Sequence, residues 1–246
     1  MDGEVGRLIV DIERARKVSI QIIFAVGLLF VLFEALRGSY LWSKLKGEGN
    51  LWNYGCSLVY FTAGQLAILN GVLFRYRERL LRTGRSYIWW TAWILAAIGF
   101  SYLACDEMLT IHEKLGLRLE SAIPVLGEFY PGHIDNLIVG VYGSGGVVFS
   151  LLFFFKMPVG REARAYMLAA LFALVVAILM DTVPRDWYMR YLAFRESEEL
   201  LELFSGVLFI AAFLSAAAKG ISGVLMAVSN YDECPGVSGI AVVARS

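Results

Sequence analysis

Apolar residues in this chain fall into six long runs separated by shorter charged stretches. A membrane-spanning helix needs roughly 20 mostly apolar residues, within a range of about 17 to 25. The runs approach that length at 18–36, interrupted by Glu34; 51–74, with Gln65 and Asn70 inside it; 88–105; 136–155; 165–180; and 203–218. This pattern predicts an all-α, polytopic integral membrane helix bundle of six transmembrane helices. It divides into an amphipathic N-terminal segment at 1–17, a six-helix domain at 18–219 and an interfacial or cytoplasmic tail at 220–246. Trp89, Trp90 and Trp93 open the third run, where amphipathic aromatics favour the headgroup level. Gly140, Gly143, Gly145 and Gly146 in the fourth predict close approach by a neighbouring helix.

The last two runs hold only sixteen uncharged residues each. At about 1.5 Å per residue they reach roughly 24 Å, short of a hydrocarbon core of about 30 Å. Asp181 and Glu202, which flank them, are therefore expected at the bilayer edge. Charged and mixed residues precede the first run, which is longer than a signal-peptide core and lacks an A-x-A site, so it is expected to stay as an anchor.

Composition strengthens the membrane reading. The chain is 58% hydrophobic and 18% charged, against about 45 to 50% and 25% in soluble domains. Lysine plus arginine and aspartate plus glutamate both number 22, so no net charge points to nucleic acid. Cys56, Cys105 and Cys234 show no CxxC spacing and predict neither a disulfide framework nor a zinc knuckle. Charge is informative only in its distribution. The stretch RYRERLLRTGR at 75–85 carries five arginines against one glutamate, and 156–164 carries three bases against one acid. Positive loops stay cytoplasmic, which predicts both termini inside and the acidic loops, 106–135 and 181–202, outside.

That topology gathers carboxylates at the outer ends of five spans: Glu34, Asp106, Asp135, Asp181 and Glu202. Ionisable groups at membrane depth are costly and tend to face a bundle interior or a wet cavity. The expected polar pocket comprises Asp106, Glu107, Glu113, Asp181, Glu199 and Glu202. Adding the two histidines gives a candidate metal set of Asp106, His112, His133, Asp135, Asp181 and Glu202, with donors suited to zinc, iron or manganese. Simpler roles compete. Ser197 followed by Glu198 and Glu199 resembles a helix start, Asp135 suits a cap, and Glu34 has Arg37 one turn on. At 100° per residue Asp106, Thr110 and Glu113 share a helix face, whereas His112 lies about 120° from Asp106. A continuous helix therefore keeps Asp106 and His112 apart, and only an unwound turn would join them.

The segments LACDEMLTIHEKLG and EELLELFSGVLFIAAFL resemble a loosely defined, functionally uncharacterised group of bacterial polytopic membrane proteins. That group has a DE-x4-HE helix end and a late EE-x-LE span. The resemblance implies a multi-span fold in a bacterial inner membrane and makes Asp106, Glu107, His112, Glu113, Glu199 and Glu202 the matching positions. In layout the chain is distantly similar to membrane hydrolases of the alkaline ceramidase type, but with two histidines and no HxxxH it lacks their three-histidine zinc site. With no complete catalytic motif, the first expectation is a non-catalytic role, such as an accessory subunit that partners the bilayer and other membrane subunits. The alternative is a divalent-metal-dependent hydrolase acting on a lipid or amphiphile at the outer face. The third is an ion or proton pathway through Gln65 and Asn70.

Overall fold

The computed structural model describes residues 2–36, 51–81, 86–123, 125, 134–181 and 192–232. They form seven α-helices: α1 (Asp2–Leu36), α2 (Leu51–Leu81), α3 (Ser86–Leu109), α4 (Ile111–Ala122), α5 (Ile134–Phe153), α6 (Arg161–Asp181) and α7 (Leu192–Asp232). A 3-10 turn, Phe154–Lys156, follows α5. No strand occurs among the described residues. Among the described residues, five helices are long and apolar enough to cross a membrane: Asn53–Leu80, Tyr87–Leu109, Leu137–Lys156, Arg161–Met180 and Ser197–Ser229. Large apolar side chains such as Leu58, Val141 and Phe172 stand on the outer surface, as lipid-facing residues do, and suggest membrane association. The expected first span lies within α1, which runs unbroken from the charged N-terminal segment into the apolar run.

Helix α7 is the hub, packing against α1, α2 and α6. Small residues let neighbours come close: Ala211, Ala212, Ala216 and Ala217 are buried, and a Cβ on Gly206 would collide with Val59 of α2. Phe209 and Phe213 fill the intervening space, with Phe100 in edge-on contact with both at ring separations of 4.8 and 5.4 Å. Trp93 reaches the same cluster, 5.2 Å from Phe213, and is 1% exposed. The headgroup role expected of Trp93 is thus replaced by a core role. Asn70 is also fully buried, and its amide nitrogen donates to the carbonyls of Leu66 at 2.8 Å and Phe213 at 3.0 Å. Gln65 is exposed, so these two polar residues do not line a common path.

Contacts along the helices fix their directions. Val59 meets Gly206 and Arg77 meets Gly223, so α2 and α7 are parallel. Ser57 meets Ala104, and Arg75 lies over Trp90, so α3 is antiparallel to α2. Cys56, Asp106, Glu107 and Glu202 therefore share one end of the bundle. The opposite end is tied by Arg16, whose buried guanidinium binds Glu13 at 2.9 Å, Glu162 at 2.5 Å and Ser215 at 3.1 Å, joining α1, α6 and α7.

Three local expectations change. Among the fourth-run glycines only Gly143 meets a neighbour closely, Ile178, whereas Gly140, Gly145 and Gly146 face open space. Ser197 does not start a helix, because α7 begins five residues earlier at Leu192. Residues 220–228 continue α7, which ends at Asp232.

Candidate functional site

At the acidic end, α3 stops at Leu109 and α4 restarts at Ile111. Between them Thr110 adopts φ 48° and ψ 50°, a left-handed conformation that is costly for a β-branched residue. It is the one non-glycine residue with positive φ among those described. The break leaves two sets of unpaired backbone groups, and side chains from opposite sides of it satisfy them. Thr110 occupies the cap position of α4 but makes no capping bond with its side chain. Asp106 does so instead: its Oδ1 accepts from the His112 backbone N–H at 2.8 Å. Lys114 works in the other direction, donating from Nζ to the Leu109 carbonyl at 2.8 Å.

The same break turns the His112 ring back onto Asp106, with Nδ1 2.9 Å from Oδ2. Tyr142 of α5 donates its hydroxyl to that Oδ2 at 2.7 Å. Asp106 is 1% exposed, yet it has a backbone N–H, an imidazole and a phenol as partners, which is what a buried carboxylate requires. Tyr142 is braced by an edge-on contact with Tyr102 at 5.6 Å. The approach of α5 depends on Gly116, where a Cβ would stand 2.8 Å from the backbone nitrogen of Asp135. Burial works against protonation of His112. The hydrogen bond to Asp106 and the negative charges of Asp106, Glu113 and Glu107 outweigh it, so the imidazole is held above its ordinary pKa.

Glu107, the next residue, faces a different set of helices. Its carboxylate, the Cys56 thiol of α2 and the Glu202 carboxylate of α7 offer ligand atoms that all lie within 4.8 Å of one another. Cys56 is buried and free of any disulfide. The backbone around the trio is pinned: Ser57 Oγ donates to the Ala104 carbonyl at 2.8 Å, and Ser205 Oγ to the Glu202 carbonyl at 2.7 Å. The Tyr60 hydroxyl reaches the Glu202 carbonyl at 3.4 Å. Glu199 adds a further negative charge near Glu107 and Cys56.

The structure thus sorts the expected residues. Asp106 and His112 meet directly, through the unwound turn that helix geometry required. Of the face expected to carry Asp106, Thr110 and Glu113 together, Asp106 and Thr110 are buried, whereas Glu113 is exposed, because the left-handed turn at Thr110 rotates everything after it. Glu202 stands with Cys56 and Glu107. Asp135 lies in the α4–α5 contact against Gly116. His133 lies outside the described residues, as do the side chains of Asp181 and Glu34. Two members escaped the sequence reading. Cys56 was set aside for lack of a cysteine motif, although it lies four residues before Tyr60 on the face that α7 covers. Tyr142 carried no signal, because its role depends on where α5 docks.

Residues 10–217 match the family model described as Domain of unknown function (DUF8692), and the chain belongs to that family. No curated protein and no solved structure matches it.

Proposed function

We propose that this family member is a six-span integral membrane protein of a bacterial inner membrane, with both termini cytoplasmic and the acidic end outside. We infer further that this end carries an acid–base site hydrolysing a lipid or other amphiphile. One observation carries the reading: the Asp106–His112 pair. An aspartate on Nδ1 fixes the tautomer and orientation of a histidine and leaves proton exchange with a bound molecule to Nε2. Here that pair sits at the end of a spanning helix, held by a strained residue of the kind that clusters at functional sites. The held-up pKa of His112 suits it to donate a proton to a leaving group near neutral pH.

The test is lipid turnover. Purified protein in nanodiscs of bacterial lipid extract is expected to generate hydrolysed species detectable by mass spectrometry. His112→Gln should lower the rate by about 10²- to 10⁴-fold, the usual contribution of acid–base catalysis. An unchanged lipid profile with wild-type protein overturns the hydrolytic reading. Orientation is tested separately by fusing a reporter that fluoresces only in the cytoplasm after residue 232.

A second reading, an accessory subunit of a membrane complex, is favoured by α5. Its apolar window is only 11% buried, and three of its glycines face open space. Cross-linking from Gly145→Cys in native membranes that yields only monomer counts against it.

A further inference from the structure

We propose that Cys56, Glu107 and Glu202 bind one divalent transition-metal ion, zinc by ligand chemistry, between α2, α3 and α7. The proposal stands on the trio's geometry and does not depend on hydrolysis. Three helices deliver one donor atom each to a region where all three atoms lie within 4.8 Å of one another. Tetrahedral coordination at zinc bond lengths of about 2.0 to 2.3 Å places ligand atoms about 3.3 to 3.8 Å apart. Side-chain rotations that bring the atoms together by at most about 1.5 Å complete the geometry.

Electrostatics point the same way. A thiol and two carboxylates within 4.8 Å of one another repel when ionised. A divalent ion held among the three donor atoms offsets that repulsion. The buried Cys56 is the discriminating member. It is 3% exposed, and among the described residues no hydrogen bond to its thiol is found. A sulfur aimed at two carboxylates selects zinc or another borderline-soft ion over magnesium or calcium, which take oxygen ligands. Binding would displace the thiol proton to solvent, since the thiolate is the ligand. The hydrogen bonds from Ser57 and Ser205 hold the backbone beside these ligands in place, in the way outer partners orient metal ligands. Three protein ligands also leave a fourth position for water, the arrangement of zinc sites that do chemistry.

The experiment measures metal on full-length protein purified in detergent without chelator. Wild type is expected to retain about one zinc per chain. After exchange with cobalt(II) it should show a thiolate-to-metal charge-transfer band in the near ultraviolet. Cys56→Ser should abolish that band, and Glu202→Gln should weaken metal affinity by more than about 100-fold, beyond what outer-partner substitutions cost. If a variant fails to fold, the charge-transfer band of the wild-type protein decides the matter alone. Two results overturn the proposal: no retained metal and no band, or equal metal in wild type and both variants, which marks an adventitious ion only. Since no step of this test involves turnover, its failure is distinct from failure of the hydrolytic reading.

Discussion

Asp106 and Glu107 are neighbours in sequence and opposites in environment. Asp106 turns toward α4 and α5, where every partner is a donor: a backbone N–H, an imidazole and a phenol. Glu107, 100° further round the helix, turns toward α2 and α7, where its companions are a thiol and a second carboxylate. The first setting stabilises the folded bundle as it stands. The second concentrates like charge and gains from a cation. A single peptide unit thus divides a carboxylate whose partners are all donors from one whose companions are themselves acids.

The comparison is broken most severely by Asp106→Ala. It uncaps α4, strands the Tyr142 hydroxyl and leaves His112 without its partner, so a loss of about 3 to 5 kcal/mol is expected, as for a broken buried pair. Denaturant unfolding in detergent micelles measures it. Gly116→Ala comes next. The added methyl meets the backbone at Asp135, and backbone cannot rotate away, so the loss should be about 1 to 3 kcal/mol. Because α5 carries Tyr142 but none of Cys56, Glu107 or Glu202, this change should loosen the Asp106 side and leave cobalt binding intact; loss of both sharpens the two sites into one. Thr110→Gly acts in the opposite direction. Removing the left-handed penalty of about 1 to 2 kcal/mol, less the entropy glycine adds to the unfolded chain, predicts a gain of about 0.5 to 1 kcal/mol by the same unfolding assay.

The smallest effect is on pH. The pKa of His112 is raised in the folded state. Its pairing with Asp106, Glu107 and Glu113 therefore stabilises fully below the unfolded value of about 6.5, and this contribution is lost as pH rises through the raised folded value. Stability of the metal-free protein should fall across that interval, and His112→Gln should flatten the fall. An unchanged slope in the variant assigns the pH dependence to another group.

Much of this arrangement was legible in the runs of apolar residues, because hydrocarbon thickness constrains the length of a span wherever it sits in the bundle. Which face each helix buries was not. Runs 136–155 and 203–218 look equally apolar, yet the window in Leu137–Lys156 is 11% buried and that in Ser197–Ser229 is 72% buried. Burial there follows from partners, and a glycine such as Gly206 matters only because Val59 is opposite it. The turn at Thr110 was hidden for a related reason. Threonine is a poor left-handed residue, and the group that caps α4 lies four positions before it, on the helix that the turn ends. Face geometry still identified what such a turn would accomplish, since joining Asp106 to His112 required it. Cys56 was invisible as a motif because its companions come from α3 and α7.

The position of α7 has a consequence for biogenesis. Among the described helices α7 follows the others in the chain, so α1, α2 and α6 are made before the surface they share exists. Until it arrives, the carbonyl that Asn70 binds on Phe213 is absent, and the amide must find other company in the bilayer. Gathering of α1, α2 and α6 around a common centre therefore follows synthesis of α7, whereas α2 and α3, which pack on each other, can pair before it.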